Sequence, residues 1–221
     1  MFWNLSRIVL LALALGACQT TPGTAWKTSA RISVARLDDY ETESSTRQLV
    51  DTDDIEYESV ELALGGLRYS EVDGEAGEAY PTLLVEFSVG FLSLEDMLVF
   101  DPGLGGAPLS NDAEADAYEF ALGFRRYLWA ETLFPRLRLL PYIGLAGVHT
   151  EIEDVDGRGQ FGLRVAGGLQ WFIQEGTFLD VGVDYTHSLV AAESDYEPEL
   201  LDHVDIELSG FALRVGIGVV F

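Results

Sequence analysis

The sequence predicts an all-β fold: an antiparallel up-and-down transmembrane β-barrel of about eight strands. Three observations carry this. From residue 60 onward, bulky apolar residues alternate with small or polar ones in segments of about a dozen residues, the period of a strand whose two faces meet different surroundings. Turn-rich connections separate these segments, and long acidic ones alternate with shorter ones, as they do when every second connection lies on the same rim. No helix-period segment of useful length occurs outside residues 1–17.

The final strand is the best formed. Phe211, Leu213, Val215, Ile217, Val219 and Phe221 share one face; Gly210, Ala212, Arg214, Gly216 and Gly218 share the other. The first strand is read at 60–69. In 82–92, Leu83, Val85, Phe87, Val89 and Phe91 oppose Thr82, Glu86, Ser88 and Gly90. Residues 93–96 read as a tight turn and 97–100 as a short third strand. Four more follow at 118–128, 139–150, 161–171 and 179–189. The long connections are 70–80, 102–116, 151–159 and 190–205, and the shorter ones 93–96, 129–135 and 174–177. A second count makes 30–37 a strand and 82–101 one long strand, and the total remains eight. The turn chemistry of 93–96 favours the start at Val60. Residues 19–29 then form a flexible tether and 38–58 an acidic linker.

Thirteen basic residues stand against 37 acidic ones, a net charge of −24. Such a chain repels phosphate backbones, so nucleic acid is excluded as a partner. Apolar residues make up 48% of the same chain, so acid and oil must occupy separate zones. The face opposite the large apolar residues is built of glycine, alanine and a few charges, unlike the dense polar exterior of a water-soluble barrel. The apolar face is therefore assigned to lipid and the small-residue face to a lumen, which eight strands leave just wide enough for side chains. The lumen charges are Glu61, Glu86, Glu119, Asp180 and Asp184, against Arg125, Arg164 and Arg214. Buried charges must pair, because an unpaired one is costly. A salt-bridged core is the expected outcome and an ion-conducting path the alternative.

The two ends of the chain carry resemblances. Residues 1–7 hold one positive charge, 8–15 are apolar and too short to span a bilayer, and Leu15-Gly16-Ala17-Cys18 resembles a bacterial lipobox. That resemblance implies cleavage after residue 17, lipid on Cys18, and passage through the lipoprotein-sorting machinery. Gln19, where Asp retains such proteins at the inner membrane, implies export to the outer membrane. The organisation so read is a signal peptide (1–17), a lipidated acidic tether (18–58) and a barrel (59–221).

The apolar alternating strand with a terminal aromatic resembles the last strand of bacterial outer-membrane barrels, in which Phe221, Val219 and Ile217 would belong to the signal read by the barrel-assembly machinery. Residues 60–221 resemble the small outer-membrane barrels that include opacity-type and OmpA-like membrane domains. No cell-wall-binding domain follows the last strand, so a tethering role is not expected. Strand parity puts Phe221 and Cys18 on the periplasmic side, with Trp129, Trp171 and Phe172 in an aromatic girdle there.

Catalytic chemistry is sparse. The pair His187-Ser188 is similar to the His and Ser of lipid A deacylases, but adjacent residues on a strand face opposite ways. His149 and His187 fit the outer interface instead. No Gly-x-Ser-x-Gly, His-Glu-x-x-His or phosphate loop is present. Asp154-Val155-Asp156-Gly157 begins like a calcium loop without its later ligands, and it and 51–54 are expected to bind divalent cations only loosely. No metal site or cofactor is expected. The lone cysteine excludes a disulfide within the chain. The expected role is a non-enzymatic barrel lipoprotein, structural or surface-interacting, whose partners are outer-membrane lipid and the two machineries named above. A narrow solute or ion channel is the alternative, and a lipid-modifying enzyme the further one.

Overall fold

The structure is a computed structural model that describes residues 24–39, 55–70, 79–97, 113–152, 159–190, 192–193, 205–206 and 208–221. Its barrel strands are β1 (Thr24–Asp39), β2 (Ile55–Ser70), β3 (Tyr80–Met97), β4 (Ala113–Tyr127), β5 (Leu139–Ile152), β6 (Gln160–Gln174), β7 (Thr177–Val190) and β10 (Ser209–Val220). A helix, α1 (Ala130–Leu137), joins β4 to β5. Two-residue strands β8 (Ala192–Glu193) and β9 (Asp205–Ile206) pair with each other between β7 and β10. Every neighbouring pair in the barrel is antiparallel, and β10 closes on β1.

The closing seam settles the strand count. Val220 pairs with Lys27, and the main chains of Trp26 and Phe221 exchange two hydrogen bonds of 2.9 Å. The barrel therefore begins at Thr24, not near Val60, and residues 24–39 are a wall strand rather than tether and linker. Weak apolarity disguised this strand: its outward face carries Thr28 and Ala30 beside Trp26, Ile32 and Val34. The expected turn at 93–96 is absent. β3 runs through it, paired with β2 and β4 up to Leu94, and the register merely slips between Leu94 and Met97. A bulge satisfies the same polar residues while the flanking strands keep their hydrogen bonds.

Chain order then places the connections. The proximal rim holds both ends of the barrel and the connections 71–79, 128–138 and 175–176; the distal rim holds 40–54, 98–112, 153–159 and 191–208. The acidic 71–79 connection is thus on the opposite rim from the other long ones, because 82–97 is one strand and not two. At the tightest joint, Gly176 takes φ 80°, a region that glycine enters at no steric cost.

The barrel exterior is an apolar belt. Phe87, Leu122, Phe124, Ile143, Val165, Val183, Leu213 and Ile217 are among its exposed side chains, contributed by six strands. From Phe211 to Phe221 the strand advances about 33 Å, which at a tilt of about 40° gives a band about 25 Å tall. That matches the hydrocarbon thickness a barrel presents to lipid. The described tryptophans Trp26, Trp129 and Trp171 all lie exposed toward the proximal rim. Phe172 does not join them; it is buried inside the barrel.

α1 was not legible at eight residues. Glu131 in its first turn and Arg136 in its last suit the helix dipole, and Arg138 closes it with a hydrogen bond from its N–H to the Phe134 carbonyl (3.0 Å). The helix folds under the proximal mouth. Phe134 meets Tyr80 of β3 edge-on at 6.0 Å and Phe172 of β6 at 5.2 Å, so one ring bridges strands three positions apart. With Leu67, Leu84, Tyr127, Leu140 and Phe178 it makes an apolar plug. Phe134→Ala should cost about 2 kcal/mol of unfolding free energy, as a lost buried ring does at a half-covered site. Urea unfolding in phospholipid vesicles checks this, and an unchanged midpoint would show that the plug does not support the barrel.

Candidate functional site: the barrel lumen

The inward positions alternate as the strand period requires, and cross-strand register decides what fits between them. Nearly every long charged side chain stands opposite a residue with little or no side chain. Glu86 lies between Gly65 and Gly123, Glu61 and Glu119 face Gly90, and Arg125 faces Gly144. Arg214 faces Gly182, Arg31 and Asp180 flank Gly216, Arg164 faces Ala146, and Asp184 lies between Ala166 and Ala212. The glycines supply volume here. A Cβ on Gly216 would sit 2.6 Å from Arg31 Cγ, and one on Gly182 would sit 2.7 Å from the Tyr142 hydroxyl.

The charges interlock around the lumen. Arg31 pairs with Glu86 and, at 3.2 Å, with Glu61. Arg125 pairs with Glu86 at 3.0 Å and Asp180 at 2.9 Å. Arg164 holds Glu119 through both terminal nitrogens and reaches Asp184 at 3.0 Å. Arg214 joins Glu61 and Asp184, each at 2.7 Å, so one chain of pairs runs from Asp180 through Arg31 to Glu119. Toward the plug, Asp180 accepts hydrogen bonds from the Tyr142 hydroxyl and from Gln170 Nε2, both at 2.7 Å. Lys27 points into the same region, donating to the Tyr127 hydroxyl at 3.4 Å with its ammonium 4.3 Å from the Phe178 ring centre. The seven sequence-proposed lumen charges Glu86, Glu119, Arg125, Arg164, Asp180, Asp184 and Arg214 are thus brought together, with Glu61 as the eighth.

Two members were missed in the sequence: Lys27 and Arg31. Both lie on β1, and the signal was there in Lys27, Ser29, Arg31, Ser33 and Ala35 alternating with Trp26, Thr28, Ala30, Ile32 and Val34. They change the arithmetic. Among the described residues, three bases against five acids become five against five, so these lumen charges are formally balanced. Low-dielectric charges attract strongly only when each is matched, and the imbalance expected from the sequence would have been costly.

Some polar atoms remain unpaired: Ser29 Oγ, Nε and Nη1 of Arg31, Asp184 Oδ1 and Arg214 Nε. A cavity of about 30 Å³ opens beside Arg125, Arg164, Arg214, Glu61 and Glu86, walled by Ala121, Gly123, Gly144 and Ala166. That volume takes a water molecule, and no more than a few. Near the distal rim, Gln160 exchanges two 3.0 Å hydrogen bonds with the main chain of Leu208 and fixes where the last strand re-enters the wall.

The other sequence candidates fall outside this cluster. Val219 and Ile217 lie exposed on the outer face, and Phe221 ends the seam. His187 is exposed on the outside while Ser188 is buried inside, so the two do not converge. His149 lies on the outer face with Glu151 at 3.7 Å. Cys18, His203, 51–54 and 154–157 lie outside the described residues. Among the described residues, no group of three potential ligands is placed to hold a metal ion.

An eight-stranded closed barrel with a lipid-compatible exterior and a charge-filled interior is the fold of the small outer-membrane β-barrels, and this chain has it. The solved structures it is similar to agree over nearly the whole chain. The outer membrane protein OprG from Pseudomonas aeruginosa has a TM-score of 0.56 at 14% identity, covering 90% of this chain and 96% of that one. The outer membrane protein AlkL, solved in DMPC bilayers, gives 0.53 at 16% identity, with 92% of each chain covered. Neisserial surface protein A gives 0.50 at 15% identity, covering 90% and 99%. At such identities the likeness is one of fold. No protein-family model matches the sequence, and no curated protein matches it.

Arg164→Met leaves Glu119 and Asp184 each short of a partner and should cost about 3 kcal/mol, whereas Arg164→Met combined with Glu119→Leu should cost less than the two single changes together. Urea titrations of the three variants in vesicles measure this, and strict additivity would show that the pairs do not interact.

Proposed function

We propose that this chain is a non-enzymatic outer-membrane barrel lipoprotein with a structural or surface-interacting role, held by lipid on Cys18 at the periplasmic side and presenting its acidic connections outward. The observation that carries the reading is a lumen blocked twice, by the chain of buried ion pairs and by the Phe134 plug. A solute would have to part several buried pairs, each worth keeping once both partners are desolvated. The surface role rests on the distal rim, whose four connections carry 17 carboxylates against two arginines, Arg47 and Arg158. Such a field extends about 8 Å at physiological salt and favours cationic or cation-bridged contacts. Orientation follows from the termini: a lipidated Cys18 is six residues from Thr24 of β1, which keeps the anchor at the proximal rim. Three acyl chains there would hold stably where one binds only marginally.

A narrow channel is the second reading, favoured by the cavity beside Arg125, Arg164 and Arg214 and by the unpaired polar atoms near it. A lipid-modifying role draws no support from His187 and Ser188, which face opposite sides of the wall.

Reconstituted into planar bilayers, the protein should leave the membrane silent. Steady conductance steps that vanish in Arg164→Ala or Arg214→Ala would replace the structural reading with the channel. In cells, the protein should fractionate with the outer membrane, and external protease should cut within 40–54 or 191–208 while sparing 71–79. Recovery in the soluble fraction without detergent would sink the outer-membrane reading altogether.

A further inference from the structure

The proximal rim carries a feature that neither the plug nor the lumen uses. Arg68, Arg126, Arg136 and Arg138 lie exposed there, and among the described residues none is paired with a carboxylate. Three of them surround one structure: Arg126 takes the last outward position of β4, Arg136 is in the final turn of α1, and Arg138 precedes β5. The described exposed acids of this rim are Glu131 and Glu175, and the connection 71–79, which joins β2 to β3, holds four more.

The arginines stand among exposed apolar side chains. Trp129, just before the helix, and Leu137, at its last position, are 70% and 55% exposed. Trp171 and Ile173 on β6 extend the same exposed surface. Aromatic and aliphatic side chains interleaved with arginine, at the edge of an apolar belt, match the boundary between acyl chains and headgroups. Guanidinium groups match phosphate in charge and in bidentate geometry.

We propose that the β4–α1–β5 edge of the proximal rim is a binding surface for anionic phospholipid headgroups, with Arg126, Arg136 and Arg138 taking the phosphates and Trp129 and Leu137 seated beside the acyl chains. This rests on the outer-membrane reading above. It gives the barrel a lipid-selective side in the leaflet at the proximal rim, independent of any lipid on Cys18.

The described tryptophans all lie at this rim, so intrinsic fluorescence reports on it directly. The full chain carrying Trp3→Phe is folded into vesicles of phosphatidylcholine doped with brominated phosphatidylglycerol or, separately, with brominated phosphatidylcholine. Anionic lipid should displace zwitterionic lipid from the tryptophans with a preference of about fivefold, and Arg126→Gln, Arg136→Gln and Arg138→Gln together should bring it close to one. Equal quenching by the two lipids in the parent protein overturns the proposal while leaving the membrane barrel intact. A preference that survives the triple change overturns the assignment to these arginines. Quenching by neither lipid means that the barrel is not in the bilayer, and then the outer-membrane reading itself fails. If the triple variant does not fold, the parent's preference is followed as salt is raised: loss with ionic strength supports the arginine contacts, and a salt-independent preference overturns them.

Discussion

Ten charged side chains, five of each sign, are buried together in the lumen, and the rest of the barrel depends on that match. Strand register has to bring each arginine within reach of two carboxylates, and seven of the eight barrel strands contribute at least one member. It also places glycine or alanine opposite most of the long side chains, which an eight-stranded lumen has little room for. A slip of one residue would turn every charge to the lipid and every apolar side chain to the lumen. The network therefore specifies the pairing of strands as much as it stabilises the result.

The two ends of the lumen are finished differently. Distally, polar contacts such as Gln160 to Leu208 tie the last strand to the wall. Proximally, the space is filled with aromatic rings and covered by α1, whose flanking residues Trp129 and Arg138 both take left-handed backbone angles, φ 51° and 54°. Non-glycine residues adopt that conformation at a cost of about 1–2 kcal/mol each. Between them, half-buried Phe134 packs against Tyr80 and Phe172 across the mouth.

Most of the architecture could be read from alternation alone. The strands β4, β5, β6, β7 and β10 have large apolar residues on one face and mostly small ones on the other, so their position follows directly from the sequence. β1 escaped because Thr28 and Ala30 weaken its apolar face and because Thr-Thr-Pro-Gly just before it reads as tether. The continuity of β3 escaped because Ser93–Asp96 has the composition of a turn, and only pairing on both sides reveals a bulge. The lumen followed the same pattern: eight charges were legible from their face, while Lys27 and Arg31 waited on recognition of their strand. The plug had no sequence signal, since an eight-residue helix offers too few turns for a period to emerge.

The seam between β1 and β10 joins the first and last strands of the chain. Neighbouring strands elsewhere are joined through connections as short as the two residues between β6 and β7, and such hairpins close with little loss of chain entropy. Trp26 and Phe221 can meet only after the whole intervening chain is in place. Until then the growing sheet has two bare edges, each a row of unsatisfied amides and carbonyls open to any passing strand. The order of assembly is thus written into the topology: hairpins early, closure last, and a period in between when the ring must be shielded from its neighbours.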